Sequence, residues 1–221
     1  MTGPVVQSRH GVTVIGGGLV TPEDLALALR VAPTLIAADG GADRAFALGM
    51  PPDWVIGDLD SISDSARGRM RPDRVLHISE QDSTDFNKCL MRIDAPFVVA
   101  VGFAGLRLDH TLAALTTLIR AEHLRVILLA SDDIAFPAPR RLTLPLMPGT
   151  RVSLYPMGPA RGTSSGLEWP IDGIEFSPAG RVGTSNRANG LVSLQIEGPM
   201  LILLPRDCLP TALNALGLGA A

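Results

Sequence analysis

From residue 12 to about residue 130, the sequence alternates short apolar runs with longer amphipathic stretches. The apolar runs have the length of strands, and the stretches between them carry apolar residues at helical spacing, as after the helix-start signal Thr21-Pro22. This alternation is typical of a parallel sheet flanked by helices and predicts an α/β fold. The predicted strands are Val12-Ile15, Leu35-Ala38, Trp54-Ile56, Val75-Ile78, Phe97-Val101 and Val126-Ala130.

The pattern changes after Pro137, where proline and glycine become frequent and long helices are excluded. Short alternating runs follow at Arg151-Tyr155, Gly173-Phe176, Leu191-Ile196 and Met200-Leu204. We therefore predict a Rossmann-like, parallel-sheet α/β domain over residues 1–138. A small antiparallel β domain, sandwich or barrel-like, is predicted over residues 139–221.

Composition excludes several classes of partner. The formal net charge is -3 and no basic run occurs, which argues against a nucleic-acid or anionic-membrane surface and favours small-molecule partners. Cys89 and Cys208 lie far apart in no metal-ligand spacing, so we expect reduced thiols in the core. The first ten residues do not resemble a signal peptide and no apolar run has the length of a membrane span, so we expect a cytoplasmic protein.

Three acidic segments follow strand-like runs, and they are the main functional signal. They are residues 57–61, 81–86 and 107–110, and no lysine lies between Asp58 and Asp85. Clustered carboxylates bind a cation or raise one another's pKa, and oxygen-rich loops at strand ends suit magnesium carrying a phosphate substrate. In an extended segment Asp58 and Asp60 would point the same way and share one ion. The alternative is that residues 57–61 form a polar turn that caps the next helix.

Several other residues are ambiguous when taken singly. Asp109 precedes an apolar helical run, so it is either an N-cap or a site carboxylate at the helix start. The turns Gly16-Gly17-Gly18 and Asp39-Gly40-Gly41 permit close approach to an anion, but a plain strand-to-helix turn explains each of them, and the first does not match GxGxxG. Trp54 is predicted to lie in the core. Trp169 is either core or a platform for a flat ligand.

Taken together, these segments resemble, in the same order, the motifs of the thiamine pyrophosphokinase family. The matching segments are residues 38–42, 52–61, 81–88 and 107–111, continuing into 166–169 and 184–186. The resemblance implies transfer of a pyrophosphoryl group from ATP to the hydroxyl of thiamine, which gives thiamine diphosphate and AMP and requires magnesium. It also implies an α/β domain that binds ATP and magnesium, a β domain that binds thiamine, and a homodimer whose active site lies between subunits.

The resemblance also implies roles for individual positions. Asp58, Asp60 and Asp85 would hold magnesium against the ATP phosphates, and Arg107 would steady the transferring group through a two-pronged contact. Asp85 or Asp109 is the candidate general base, unless a metal-polarised hydroxyl needs none. The substrate pocket would be lined by Asp39, Gly40, Gln81, Thr84, Lys88 and His110, with Trp169, Ser185 and Asn186 on the thiamine side. For Lys88, a phosphate contact and a solvent-facing position both remain open.

One position departs from the family pattern, and two alternative functions remain. The family usually has Gly-Gly before the Arg-x-Asp-His element, whereas here Gly105 is followed by Leu106. Because leucine adopts positive φ only at a cost, a tighter or shifted loop is expected. The alternatives are a related pyrophosphokinase that acts on a hydroxymethylpterin and a non-catalytic thiamine or nucleotide sensor. A degenerate sensor would be expected to lose a metal carboxylate, and all three are present.

Overall fold

The structure, a computed structural model, describes residues 3–219, and the chain divides into two compact units between Ser131 and Asp132. The strands of the first unit are β1 (Val6–Gln7), β2 (Val12–Ile15), β3 (Thr34–Ala38), β4 (Trp54–Gly57), β5 (Val75–His77), β6 (Ile93–Asp94), β7 (Val98–Val101) and β8 (Val126–Leu129). Its helices are α1 (Pro22–Val31), α2 (Gly41–Ala47), α3 (Asp64–Arg69), α4 (Asp85–Leu90) and α5 (Leu108–Arg120), with a 3-10 turn at Pro72–Arg74. Six strands form a parallel sheet in the order β8-β7-β2-β3-β4-β5, and β1 pairs with β6. The predicted parallel-sheet α/β fold is confirmed.

Every residue of β2, β7 and β8 is buried, and these strands are apolar apart from Thr13 of β2, whose hydroxyl donates to the carbonyl oxygen of Ala32 at 2.6 Å. Parallel strands covered on both faces by helices have this continuous apolar character instead of alternation. The hydrophobic effect on these valine, isoleucine and leucine side chains therefore fixes the sheet, and the loops after the strands are free to carry polar groups.

Local capping signals explain where two helices begin. The Thr21 hydroxyl accepts a hydrogen bond from the Asp24 N–H at 3.1 Å and the Asp24 carboxylate accepts one from the Thr21 N–H at 3.0 Å, so a reciprocal capping box starts α1. Thr84 Oγ1 accepts a hydrogen bond from the Asn87 N–H at 3.2 Å at the start of α4. At α5 the N-cap position is Arg107, and Asp109 lies inside the first turn. The N-cap alternative for Asp109 is therefore wrong.

The order of the strands determines where a ligand can bind. From β2, the strands β3, β4 and β5 follow one another towards one edge of the sheet. Strands β7 and β8 lie between β2 and the opposite edge. The loops that follow β2 and β7 therefore lead away in opposite directions. In open α/β sheets this reversal of strand order leaves a crevice at the carboxyl ends of the strands, where ligands bind.

The second unit is an antiparallel β structure, as predicted. Its strands are β9 (Asp133–Pro137), β10 (Arg141–Pro145), β11 (Arg151–Pro156), β12 (Arg161–Leu167), β13 (Gly183–Glu197) and β14 (Met200–Pro205), followed by α6 (Leu209–Ala215). The strand order is β10-β13-β11-β14-β9, and β12 also pairs with β13. The first residues of the long strand β13 pair with β11 and its remainder pairs with β10 and β12, so this strand joins two sheets. The predicted run Gly173-Phe176 forms no strand, and only Phe176 makes isolated bridges.

The observed division of the chain lies earlier than the boundary predicted after residue 138. Asp133–Pro137 forms β9, which pairs antiparallel with β14 of the second unit, as in the pairing of Phe136 with Ile202. A strand belongs to the sheet that supplies its hydrogen bonds, and the change in proline and glycine content after Pro137 does not report that pairing.

The predictions for the cysteines and for Trp54 are confirmed only in part. Both cysteines are free thiols; the expected core position is confirmed for the buried Cys89 and is wrong for Cys208, which is half-buried. Trp54 is only half-buried, with the Arg74 guanidinium 4.9 Å from its ring centroid, so the expectation that it lies in the core is wrong. Among residues 3–219, no helix combines the length and the apolar character that crossing a bilayer would require.

Candidate active site

A cavity of about 590 Å³ lies in the first unit, among the loops that follow β2, β3, β4 and β7. It brings together most of the residues predicted from the sequence. The predicted residues in its lining are Asp39, Gly40, Asp58, Gln81, Thr84, Asp85, Lys88, Arg107 and His110. Asp60 and Asp109 do not line the cavity, but each contacts a residue that does. The crevice expected from the strand order is therefore also where the acidic segments meet.

Glycines allow the loops after β2 and β7 to meet at one wall of the cavity. A Cβ atom at Gly16 or Gly18 would lie 2.7 or 2.5 Å from the carbonyl oxygen of Gly102, so the loops after β2 and β7 approach each other too closely for side chains at these positions. Gly17 also lines the cavity. From the sequence, a plain strand-to-helix turn explains Gly16-Gly17-Gly18, and so these residues were not predicted to line the site. The signal was the position of three consecutive glycines directly after the first buried strand.

Asp58 and Asp60 converge because the chain turns between them. Strand β4 ends at Gly57, and Leu59 has a φ of +63°, in the left-handed region. The Asp60 N–H donates to Asp58 Oδ1 at 3.4 Å, and Asp60 Oδ1 accepts from the Ser61 hydroxyl at 2.8 Å. The expectation of an extended segment is therefore wrong in its geometry, although the two carboxylates do come together.

The third carboxylate of this cluster is Asp39. Among the residues that the structure describes, carboxylate oxygens of Asp39, Asp58 and Asp60 all lie within 4.8 Å of one another. Asp39 is 2% exposed, and its two oxygens accept hydrogen bonds from the backbone N–H groups of Ser61 and Ile62 at 3.0 and 3.1 Å. Burial raises the pKa of Asp39 to about 6, because desolvation and the nearby charge of Asp85 outweigh these two hydrogen bonds.

Lys88, the only lysine of the sequence, is the counter-charge within the cluster. Its side chain is 2% exposed, and its ammonium group lies 2.9 Å from Asp58 Oδ2 and 3.1 Å from Asp85 Oδ1. The hydrogen bond from Lys88 lowers the pKa of Asp58, and the Gln81 amide, 3.1 Å from Asp58 Oδ2, adds to this effect. The alternative of a solvent-facing Lys88 is therefore wrong.

Asp85 stands apart from the three clustered carboxylates. Its Oδ1 atom accepts hydrogen bonds from the Lys88 ammonium and, at 3.3 Å, from the Asp58 N–H. Asp85 therefore ties the start of α4 to the loop after β4. Its role as a metal ligand remains a prediction.

Arg107 and Asp109 form a two-pronged ion pair at the mouth of the cavity. Arg107 Nε lies 3.2 Å from Asp109 Oδ1, and Arg107 Nη2 lies 2.6 Å from Asp109 Oδ2. Both side chains are 65% exposed, so water screens the attraction. The preceding Gly105 and Leu106 both have positive φ, +85° and +48°. Both residues therefore lie in the left-handed region that favours glycine, and Leu106 is strained there.

Aromatic and small residues complete the wall of the cavity. Phe86 and Phe103 stack with ring centroids 4.1 Å apart, and both line the cavity beside Ala113 and Ala114. Phe103 was not predicted from the sequence, because an isolated phenylalanine in a glycine-rich loop has no distinctive spacing. His110 lies on the same wall.

The residues predicted for the thiamine side lie in the second unit. Trp169 is 53% exposed, which favours the ligand-platform alternative over the core alternative. Ser185 is exposed and has a φ of +63°, whereas Asn186 is 6% exposed. The Asn186 amide makes two hydrogen bonds to the backbone of Trp169, so these two residues are structurally linked.

Comparison with known proteins gives concordant matches. The family model "Thiamin pyrophosphokinase, catalytic domain" matches residues 25–128. Thiamine pyrophosphokinase 1 of Oryza sativa subsp. japonica is 30% identical and the match covers 68% of this chain and 70% of that protein. Thiamine pyrophosphokinase 1 of Arabidopsis thaliana is 27% identical, with 81% of this chain and 79% of that protein covered.

Solved structures with low sequence identity share the fold. A thiamin pyrophosphokinase from Candida albicans superimposes with a TM-score of 0.76 at 16% identity, covering 90% of this chain and 92% of that one. The yeast thiamin pyrophosphokinase superimposes with a TM-score of 0.75 at 18% identity, covering 95% and 94%. The residues matched by the family model include Asp39, the loop with Asp58 and Asp60, and Arg107.

Proposed function

The chain belongs to the thiamin pyrophosphokinase family, and on that basis we propose that it transfers a pyrophosphoryl group from ATP to the hydroxyl of thiamine. The products are thiamine diphosphate and AMP. The observation that carries the proposal is the cavity at the carboxyl ends of the strands, which combines clustered carboxylates, a buried ammonium group and close-packed glycine loops. Of the functions considered, the hydroxymethylpterin enzyme and the non-catalytic sensor are not favoured by the relatives.

The carboxylate cluster fits magnesium. Mg²⁺ prefers hard oxygen ligands and is usually bound through one or two carboxylates together with substrate phosphates. Asp58 and Asp60 would hold the ion, with Asp39 behind them, since their oxygens lie within 4.8 Å of one another. The pKa of Asp39 is raised first by burial and then by the nearby charge of Asp85, and a divalent cation bound there would favour the ionised carboxylate. Bound there, magnesium would supply charge neutralisation to the ATP phosphates.

Asp85 remains a proposed ligand of the same site. Its Oδ1 atom is engaged by Lys88 and by the Asp58 N–H, so it shares its counter-charge with Asp58. A carboxylate in this position can take part in metal binding or hold the metal loop against α4. An Asp85→Asn variant separates the two roles when stability is measured beside metal affinity. A ligand predicts weaker magnesium binding with little change in Tm, whereas a carboxylate that holds the loop predicts a lower Tm as well.

Phosphate groups are proposed to bind along the rest of the cavity. Lys88 and Arg107 supply positive charge, and the glycine turns at Gly16–Gly18 and Gly40 allow backbone groups to approach an anion. Asp109 holds the Arg107 guanidinium through two hydrogen bonds and so orients it at the cavity mouth. Gln81, Thr84 and His110 line the same space, although the Thr84 hydroxyl also caps α4.

The thiamine side is proposed to involve Trp169, Ser185 and Asn186 of the second unit. Thiamine carries a thiazolium cation beside a flat aminopyrimidine, and an exposed indole suits both. We propose a cytoplasmic homodimer in which the partner subunit supplies this β unit to the cavity. A sedimentation or light-scattering mass measurement tests the dimer directly.

The function is tested by following AMP release. AMP should form only when ATP, magnesium and thiamine are all present, and thiamine diphosphate should accumulate in equal amount. A parallel assay with a hydroxymethylpterin at the same ATP concentration tests the substrate, and faster use of the pterin would overturn the proposal. Thiamine binding without AMP release would instead indicate a sensor.

A further inference from the structure

The side chain of Asn186 makes three hydrogen bonds to the backbone of Trp169 and Arg187. Its Oδ1 atom accepts hydrogen bonds from the backbone N–H groups of Trp169, at 3.1 Å, and Arg187, at 2.8 Å. Its Nδ2 atom donates to the carbonyl oxygen of Trp169 at 2.7 Å. The two acceptor sites of the amide oxygen are thus filled, and the residue is only 6% exposed.

The indole of Trp169, by contrast, faces solvent over about half of its surface, with 53% of the residue exposed. The Asn186 amide binds both polar atoms of the Trp169 backbone, so it fixes the peptide groups from which the indole projects. The neighbouring Glu168 N–H donates to the carbonyl oxygen of Arg187 at 2.8 Å, which extends the same attachment by one residue. The direction of the ring therefore depends on contacts with β13.

A β-bulge lies immediately before Asn186. In the pairing of β11 with β13, Val152 lies opposite Asn186 but Leu154 lies opposite Gly183, so Ser153 faces two residues of β13, Thr184 and Ser185. Thr184 and Ser185 are both exposed, so the bulge interrupts the in-out alternation of the strand. The alternation resumes after the bulge, and the buried Asn186 is in phase with the buried Ala188.

Ser153 stabilises the bulge. Its hydroxyl oxygen accepts a hydrogen bond from the Ser185 N–H at 3.0 Å, and Ser153 is 5% exposed. Ser185 has a φ of +63°, which costs a non-glycine residue about 1–2 kcal/mol. The buried hydroxyl thus satisfies the Ser185 N–H at the bulge, where the pairing of β11 with β13 is irregular.

We propose that Ser153 and Asn186 are positioning residues for Trp169. Ser153 holds the bulge that directly precedes Asn186, and the Asn186 amide holds the Trp169 backbone so that the indole is ready to receive a flat ring. This inference rests on the proposed function for the identity of that ring, thiamine. It removes Asn186 from the residues that contact substrate and leaves Trp169, Thr184 and Ser185 as the groups that face a ligand.

Tryptophan fluorescence tests the proposal, since the sequence has only two tryptophans. In a Trp54→Phe background, Trp169 is the sole indole. Asn186→Ala should increase the fast segmental motion of Trp169, seen as a lower time-resolved anisotropy, and raise the apparent KM for thiamine about tenfold while the KM for ATP stays unchanged. Ser153→Ala should change both quantities in the same direction by a smaller factor. The exposed Asn189, also on β13, provides the control Asn189→Ala, which should change neither.

The outcomes separate this inference from the proposed function. If Asn186→Ala weakens thiamine use while the Trp169 anisotropy is unchanged, Asn186 contacts the substrate and the positioning role is wrong. If anisotropy falls but Trp169→Ala leaves the thiamine KM unchanged, the positioning role stands and the assignment of Trp169 to thiamine fails. Should Asn186→Ala fail to fold by circular dichroism, Ser153→Ala carries the test, and unchanged anisotropy in that variant would overturn the proposal.

Discussion

The buried ammonium group of Lys88 allows a quantitative prediction. Burial disfavours its charge, but hydrogen bonds to Asp58 and Asp85 more than compensate, so the pKa of Lys88 lies above its usual value. Replacing it in Lys88→Met keeps an unbranched apolar chain and removes the positive charge. Asp58 and Asp85 are then left without the group that neutralises them.

The cost can be estimated from exposure. Removing one partner of a fully buried ion pair costs about 3–5 kcal/mol, whereas an exposed pair contributes about 0.2–1 kcal/mol. The Lys88 side chain is 2% exposed but those of Asp58 and Asp85 are 11% and 31% exposed, so water can partly solvate the stranded carboxylates. We expect a loss of about 2 kcal/mol in the free energy of unfolding, or about 4–8 °C in Tm.

The assay is denaturant and thermal unfolding of the wild type and Lys88→Met at neutral pH, followed by circular dichroism. Arg71→Met is the matched control, because Arg71 pairs with Asp73 at 2.9 Å while its side chain is 76% exposed, and its loss should cost less than about 0.5 kcal/mol. A loss in Lys88→Met no larger than in this control would refute the argument that Lys88 is the buried counter-charge.

Two further measurements follow from the same contacts. The pKa of Asp58 in the folded protein is lowered mainly by the Lys88 hydrogen bond. The ionised Asp58 therefore stabilises the folded state above the ordinary pKa of 3.8, and this stabilisation is lost as the pH falls through the lower pKa of the folded state. Lys88→Met should therefore lose less stability than the wild type between about pH 5 and pH 3. Magnesium at ten times its Kd for the variant should stabilise Lys88→Met by about 1.4 kcal/mol, and the same concentration should stabilise the wild type by less, because in the variant no lysine competes for Asp58.

Three other substitutions test the site. Asp60→Asn should lower turnover about 100-fold or more, because it removes a proposed magnesium ligand, and near-normal AMP release would contradict the metal assignment. Its Tm should change by less than about 2 °C, because the Asp60 side chain is exposed and its hydrogen bond to Ser61 contributes little to stability. Trp169→Ala should raise the KM for thiamine and leave the KM for ATP nearly unchanged, and an equal effect on both would argue against a thiamine platform. Leu106→Gly should stabilise the protein by up to about 1 kcal/mol, because glycine adopts the φ of +48° without the strain that leucine bears there. Leu106→Ala should not stabilise it, and equal unfolding midpoints for the two variants would contradict the inference that the backbone is strained at this position.

Local signals in the sequence determined much of the fold. The observed bounds of β2, Val12–Ile15, equal the predicted ones, and the Thr21 cap starts α1 as expected. Apolar periodicity and capping residues act over one or two turns or a single strand, so their effect can be read without knowledge of the rest of the chain. The same is true of the ordered acidic motifs, each of which follows a strand and therefore ends at the same edge of a parallel sheet.

Contacts between distant segments determined the rest. The sequence indicated Asp58 and Asp60, but their convergence depends on a left-handed turn at Leu59, and the carboxylate within 4.8 Å of both is that of Asp39 from the neighbouring loop. Lys88 could not be placed from its helix alone, because its burial depends on Asp58, thirty residues earlier. Periodicity specifies which residues form a strand, but only the order of strands in the folded sheet specifies which loops meet, and the chemistry of this site is made where they meet.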